Sequence, residues 1–102
     1  MREYRTFDEV KEDYFHKHPE EIDDFVTLIF EEYAQDNNAR ALLASLRTVS
    51  RVKGITAIAE ETGISRNGVQ KALSENGNPK FESINSIMHA MGYSLMPQRL
   101  EL

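Results

Sequence analysis

Residues 56–73 read TAIAEETGISRNGVQKAL, a pattern typical of two short helices joined by a tight turn. Thr56 is a residue type that can cap the first helix, and Gly63 can take the positive φ that such a turn needs. Ile64 follows the glycine and can fill the gap between the helices, while Ser65 can cap the second helix. The spacing therefore predicts a helix-turn-helix whose inner side carries Val69, Ala72 and Leu73.

The solvent side of the second helix carries four polar residues near its N-terminal end, Arg66, Asn67, Gln70 and Lys71. Arginine and lysine pair with guanine O6 and N7, and asparagine and glutamine pair with adenine N6 and N7. In helix-turn-helix proteins this end of the second helix enters the major groove. We therefore expect these four side chains to read DNA bases. The alternative is a helix pair in a protein that does not bind DNA.

Further residues are candidates for contacts with DNA phosphates, which fix register and add salt-dependent affinity. They are Ser65, Thr56, Arg47, Arg51, Asn78 and Lys80. The first two lie near predicted helix N-termini, where free N–H groups favour anions. The arginines share one side of the preceding helix, for which a solvated face is the alternative. The last two belong to an Asn-Gly-Asn-Pro-Lys turn, which is otherwise an ordinary interhelical loop.

Helical periodicity outside this stretch predicts four more helices, so the expected fold class is all-α. Thr6 and Glu9 have capping-box spacing at the start of the first helix, and His18-Pro19 ends it. Asp36-Asn37-Asn38 breaks the chain before the third helix, which Gly54 can end. The predicted helices span residues 7–17, 19–34, 39–53, 57–62, 66–73 and 81–91, and a short strand is expected over 93–96.

Charge divides the chain into two parts. Residues 1–36 contain twelve acidic and four basic residues, a net charge of −8, whereas residues 37–102 carry +3. We interpret 1–36 as an acidic helical extension and 37–102 as the DNA-binding domain. The candidate partner surface on the extension consists of Tyr4, Phe7, Val10, Tyr14 and Phe15. Its second apolar stripe, with Ile22, Phe25, Ile29 and Phe30, is expected to pack on the core instead.

Composition narrows the class of protein further. A chain of 102 residues suffices for one domain, or for one domain with an appendage. The absence of cysteine excludes disulfides and thiolate metal sites. No apolar run approaches the roughly 20 residues that span a bilayer, and no apolar signal core is recognisable. We therefore expect a cytoplasmic protein without membrane attachment.

The sequence gives little support for catalysis. Asp13 and His16 have helical spacing and His18 is near, but a metal site needs three or four convergent ligands. No second cluster completes the set, and no glycine-rich phosphate loop or nucleophile–base pair is recognisable. We expect neither a metal, nor a cofactor, nor enzymatic activity.

Residues from about 39 to 96 resemble Cro/C1-type, lambda-repressor-like helix-turn-helix domains, and more closely the HigA-like addiction-module antidote proteins. The matching stretches are LLASLR at 42–47, IAEETGISR at 58–66, KALS at 71–74, GNPKF at 77–81 and HAMGY at 89–93. The acidic residues 1–36 are longer than the minimal antidote pattern.

The resemblance implies a homodimeric repressor that binds a palindromic operator in double-stranded DNA and neutralises a RelE/ParE-like toxin. Carried over by position, its recognition residues are Ser65, Arg66, Asn67, Gln70 and Lys71. Such toxins are generally basic, so the acidic first third would suit one by charge. The alternatives are a stand-alone, prophage-type regulator and a protein-interaction module without a toxin partner.

Overall fold

The computed structural model describes residues 6–74 and 76–101, which form an all-helical fold. The predicted class is confirmed for these residues, and no strand occurs among them. None of their helices is both long enough and apolar enough to cross a bilayer. The elements are α1 (Phe7–Lys17), a 3₁₀ turn (Pro19–Glu21), α2 (Ile22–Asp36), α3 (Ala39–Lys53), α4 (Ile55–Thr62), α5 (Arg66–Ala72) and α6 (Phe81–Ala90).

The predicted capping box begins α1. The Thr6 hydroxyl accepts a hydrogen bond from the Glu9 N–H at 3.1 Å, and the Thr6 N–H donates to Glu9 Oε2 at 3.2 Å. Two N–H groups without intrahelical acceptors are thereby satisfied. The bounds of α1 are those that the sequence predicts.

The second helix differs from its predicted bounds at both ends. Pro19 opens a 3₁₀ turn instead of an α-helix, and α2 begins only at Ile22. At the other end α2 continues to Asp36, because Asn37 is the residue that turns left-handed, with φ of 53°. Asn38 then caps α3 by accepting from the Ala41 N–H at 3.1 Å, as predicted for this break.

Gly54 separates α3 from α4 at a single residue. Gly54 ends α3 as the sequence predicts, but with φ of +109° and ψ of 107° it is not in the left-handed helical conformation expected of such a cap. Because α4 begins directly after it, Gly54 is the N-cap and Thr56 lies inside the first turn. The prediction that Thr56 caps a helix from 57 is therefore wrong. Ile55 precedes Thr56 and is buried in the core, so α4 begins at Ile55.

A single apolar cluster runs through the described residues, from α1 to the residue after α6. Helix α3 lies at its centre, in contact with α1, α2 and α4, and its Leu46 and Val49 are almost wholly buried. Helices α5 and α6 complete the cluster from the side of α4. As predicted, Ile22 and Ile29 of α2 pack into it. Its buried members are Phe15, Ile22, Val26, Ile29, Leu43, Leu46, Val49, Ile55, Ile58, Val69, Leu73, Ile87, Met88 and Met91.

The C-terminal segment 93–101 has no regular structure, so the strand expected over 93–96 is not seen. A strand needs a neighbouring edge to pair with, and the described residues are otherwise helical. Tyr93 is held by α2 instead, because its hydroxyl donates to Asp23 Oδ1 at 2.6 Å. Burial, followed by this hydrogen bond, raises the pKa of Tyr93 well above its usual range. The ammonium of Lys53 lies 5.1 Å from the centre of the ring.

Gly77 packs directly on the C-terminal end of α5. Its N–H donates to the carbonyl of Ser74 at 2.9 Å. A Cβ at this position would lie 2.8 to 2.9 Å from the carbonyl oxygens of Lys71, Ala72 and Ser74. These are main-chain atoms of a helix end, so they cannot move aside as a flexible side chain would.

We expect Gly77→Ala to lower the free energy of unfolding by about 1–3 kcal/mol, the usual cost of overpacking. Urea denaturation measures this, and Asn76→Ala, at an exposed position of the same turn, is the control. Equal midpoints for the two variants would show that Gly77 is not needed for close approach.

Candidate nucleic-acid interface

The turn between α4 and α5 is built as the sequence predicts around Gly63. This residue is left-handed, with φ of +77° and ψ of 2°, and its N–H donates to the Ala59 carbonyl at 2.9 Å. The sequence analysis missed a second contributor, Thr62. Its hydroxyl donates to the Ile58 carbonyl at 2.8 Å and accepts from the Ile64 N–H at 3.1 Å. The signal was a hydroxyl residue at the last helical position, where it can bond back to a carbonyl four residues earlier.

The first turn of α5 passes close to the Ile64 side chain at Gly68. Ile64 is half-buried and packs against the core. A Cβ at position 68 would lie only 2.7 Å from Ile64 Cγ2 and 3.0 Å from Ser65 Oγ. Gly68 therefore lets α5 lie closely against the turn. Sequence reasoning gave this glycine no role, because the need for it depends on the direction in which the Ile64 side chain packs.

Ser65 is the N-cap of α5, as predicted. Its side-chain oxygen accepts from the Gly68 N–H at 2.9 Å, and its backbone is extended, with φ of −64° and ψ of 158°. Val69, on the inner side of α5, is completely buried, and so is Leu73, the first residue after the helix. The cap and these two apolar anchors fix which side of α5 faces outward.

The four residues predicted to read bases lie together on that outward side. Arg66, Asn67 and Lys71 are exposed, and Gln70 is half-buried. Within residues 6–74 and 76–101, none of the four side chains has a carboxylate at ion-pair distance or a hydrogen-bond partner. The surface therefore offers two cationic groups and two amides that are available to a ligand.

Three of the residues predicted to contact phosphates are also accessible. Thr56 is exposed on α4, Asn78 is exposed in the loop that follows α5, and Lys80 is exposed at the N-cap position of α6. The hydroxyl of Ser65 is already occupied as the cap. Whether any of these residues meets a phosphate stays a prediction.

The two predicted arginines of α3 are engaged within the protein. Arg51 Nη1 lies 3.0 Å from Glu12 Oε1, and Arg47 Nη2 lies 3.7 Å from Asp8 Oδ2. Arg47 also donates from Nη1 to the carbonyl of Leu73 at 3.4 Å. A phosphate contact by either arginine would have to displace a carboxylate of α1.

Helix α1 presents three of the five predicted partner-surface residues to solvent. Phe7 is 73% exposed, Val10 49% and Tyr14 45%. Phe15 is only 7% exposed and packs in the core against Phe25, with ring centroids 4.7 Å apart. The prediction for Phe15 is therefore corrected, because one further residue turns the side chain about 100° round the helix. Tyr4 lies outside the described residues.

The Tyr14 hydroxyl links this surface to the start of α2. It donates to Glu21 Oε2 at 2.6 Å, and this hydrogen bond is the main reason that the pKa of Tyr14 is raised. His18, Glu20 and Glu21 also lie here, with ligand-type atoms within 4.8 Å of one another. This group differs from the set considered in the sequence, in which Asp13 and His16 have helical spacing. Carboxylates before α2 also interact favourably with its N-terminal end, so a metal is not needed to account for them.

Comparison with known proteins gives a family match over nearly the whole chain. A family profile described as "Probable addiction module antidote protein" matches residues 3–98. A protein of Haemophilus influenzae, described only as uncharacterized, is 34% identical over 74 residues, which cover 72% of this chain and 76% of that protein. No solved structure matches significantly.

We expect Ser65→Ala to lower the free energy of unfolding by about 1 kcal/mol, because the Gly68 N–H loses its acceptor. Ser65→Asn keeps a capping oxygen and should retain most of the stability. Urea denaturation of both variants beside the unaltered protein is the measurement. If alanine and asparagine prove equally stable, the cap does not contribute to the fold.

Proposed function

The chain belongs to the family of probable addiction module antidote proteins, and on this premise we propose that it is an antitoxin that also represses its own operon. In this proposal the α4–α5 pair is a helix-turn-helix that binds operator DNA. The chain acts as a homodimer and neutralises a toxin encoded beside it.

One observation carries the DNA-binding part of the proposal, namely the available polar side of α5. Arg66 and Lys71 offer donors for guanine, and Asn67 and Gln70 offer the donor and acceptor pair that adenine requires. Neutralisation by neighbouring carboxylates would have argued against this role, but no such pair forms among the described residues. The Ser65 cap and the Gly63 turn hold the polar side of α5 outward, which is what base readout needs.

Affinity would come from accessible polar groups around α5. Lys80 and Asn78 follow it in the chain, and Thr56 lies on the preceding helix. Contacts of this kind with phosphates fix the register of a protein on the duplex without reading sequence. They also belong to the part of the chain that carries +3, so the long-range field favours DNA there.

The proposal of a homodimer is based on the geometry of the DNA major groove. One short recognition helix reads only a few base pairs, and two copies reach successive major grooves about 34 Å apart. The proposed operator is therefore palindromic. The C-terminal segment, with Met96 79% exposed, is the region that we assign to contact between subunits.

The toxin partner is proposed to be a basic protein of the RelE/ParE-like class, bound by α1. The exposed side chains of Phe7, Val10 and Tyr14 form an apolar stripe at helical spacing. The surrounding segment carries the net charge of −8. An apolar stripe with acidic flanks suits a basic groove by burial and by charge complementarity.

We expect Arg66→Ala and Gln70→Ala each to weaken binding to a duplex from the region upstream of the gene. The loss of one base contact costs about 1–3 kcal/mol, or roughly 5- to 150-fold in Kd. Fluorescence anisotropy with a labelled duplex measures it. The control is Lys17→Ala, which removes the same charge as Arg66→Ala but from the last turn of α1, and it should change Kd little.

The unaltered protein should also lose affinity steeply with added salt, because bound lysine and arginine release counterions from DNA. A protein-interaction module would show no binding to the upstream duplex at any salt concentration. Variants at positions 66 and 70 that bind and footprint like the unaltered protein would refute the assignment of α5.

We expect the double variant Phe7→Ser, Val10→Ser to bind the co-encoded toxin at least about tenfold more weakly, because buried apolar anchors dominate such interfaces. Both residues are exposed, so the fold should be retained. Isothermal titration calorimetry against the toxin is the measurement. Leu28→Ser, which removes a comparably exposed apolar side chain from α2, is the matched control. Equal affinity of all three proteins would contradict docking on α1.

A further inference from the structure

Arg47 connects two elements that are far apart in the sequence. Its Nη1 donates to the carbonyl of Leu73, 26 residues away, and its Nη2 lies 3.7 Å from Asp8 Oδ2 on α1. The arginine side chain is only 16% exposed, so most of it is shielded from solvent. A planar guanidinium presents donors in fixed directions, which allows it to hold two acceptors at a defined angle.

The acceptor on the side of α5 is a helix end. Leu73 is the C-cap of α5, and carbonyls at this position lack an intrahelical donor. A cation there satisfies the carbonyl and interacts favourably with the negative end of the helix dipole. The Leu73 side chain is fully buried, so the contact with Arg47 fixes the main chain at a point that the core already anchors.

The acceptor on the other side belongs to the first turn of α1. The Asp8 side chain is 41% exposed, and its Oδ2 pairs with Nη2 of Arg47, whereas the Leu73 carbonyl accepts from Nη1. Asp8 thus restricts the rotamers of Arg47. The position of α1 and the orientation of α5 are joined through one side chain of α3.

We propose that Arg47 is a positioning residue for DNA recognition, held by Asp8 and holding the C-terminal end of α5. This inference rests on the proposed DNA binding by α5. It replaces the phosphate contact that the sequence predicts for Arg47, and it gives the acidic N-terminal segment a part in DNA affinity. Simple electrostatics predicts the opposite effect on affinity, because a carboxylate near DNA ordinarily weakens binding.

The chain contains a matched pair that lacks the link to α5. Glu12 and Arg51 also join α1 to α3, with a shorter distance of 3.0 Å, and they lie one helical turn further along. Within the described residues Arg51 makes no hydrogen bond to α5. Comparison of the two pairs therefore separates the orientation of α5 from general attachment of α1.

The test measures the Kd of Asp8→Asn and Arg47→Met for the upstream duplex at several salt concentrations. Each variant is expected to bind about 2- to 10-fold more weakly, in line with a lost helix-end interaction, with an unchanged salt slope. The double variant should be no weaker than the worse single variant. Glu12→Gln, which breaks the matched pair without removing a predicted phosphate contact, should bind like the unaltered protein.

If Arg47 contacts a phosphate instead, its loss lowers the salt slope by about one, and Asp8→Asn tightens binding. Either result overturns the proposal. So does an equal loss of affinity in Glu12→Gln, because attachment of α1 would then be the cause.

Amide hydrogen exchange tests the same coupling without DNA. The N–H groups of Leu73 and Ser74 donate within the last turn of α5. They should exchange faster in Asp8→Asn and Arg47→Met than in Arg51→Met. Uniform exchange in all variants refutes the coupling even if DNA is bound. Faster exchange without any DNA binding by the unaltered protein sustains the coupling and refutes the proposed function.

Discussion

The fold depends on the burial of α3 from two sides. An isolated helix of 15 residues is marginal in water, so α3 is held by the helices that cover its apolar stripe. Helices α1 and α2 cover one part and α4 covers another, with Leu46 and Val49 almost wholly enclosed. The acidic N-terminal helices and the α4–α5 pair therefore share one core. A displacement on one side of α3 has to be accommodated on the other, because packed interiors leave few voids.

This shared core gives α1 two distinct sides. Its inner side places Phe15 in the core and Asp8 and Glu12 against arginines of α3. Its outer side leaves Phe7 and Tyr14 exposed. Helix α1 thus packs into the core and still presents apolar surface, which suits a family whose members have a toxin partner. The acidic segment is thus both a structural part and the proposed surface for the toxin.

The outward side of α5 could be identified from the sequence because its determinants are local. Ser65 and Gly63 set the ends of the turn, and Val69 marks the inward side. Gly68 could not be assigned, since its need for a missing Cβ depends on where Ile64 packs. The start of α4 was misplaced for a similar reason, because burial of Ile55 outweighed the capping preference of a threonine.

The sequence by itself determined the helical class, the bounds of α1 and α3, their caps and the polar side of α5, since these follow from contacts within three or four residues. The tertiary structure alone decided that Phe15 is buried and that Arg47 and Arg51 are paired with α1. Arg51 and Glu12 are 39 residues apart, and no local pattern encodes such a contact. Long charged side chains pair with whichever partner the packing of the helices brings near, so their roles depend on the tertiary structure.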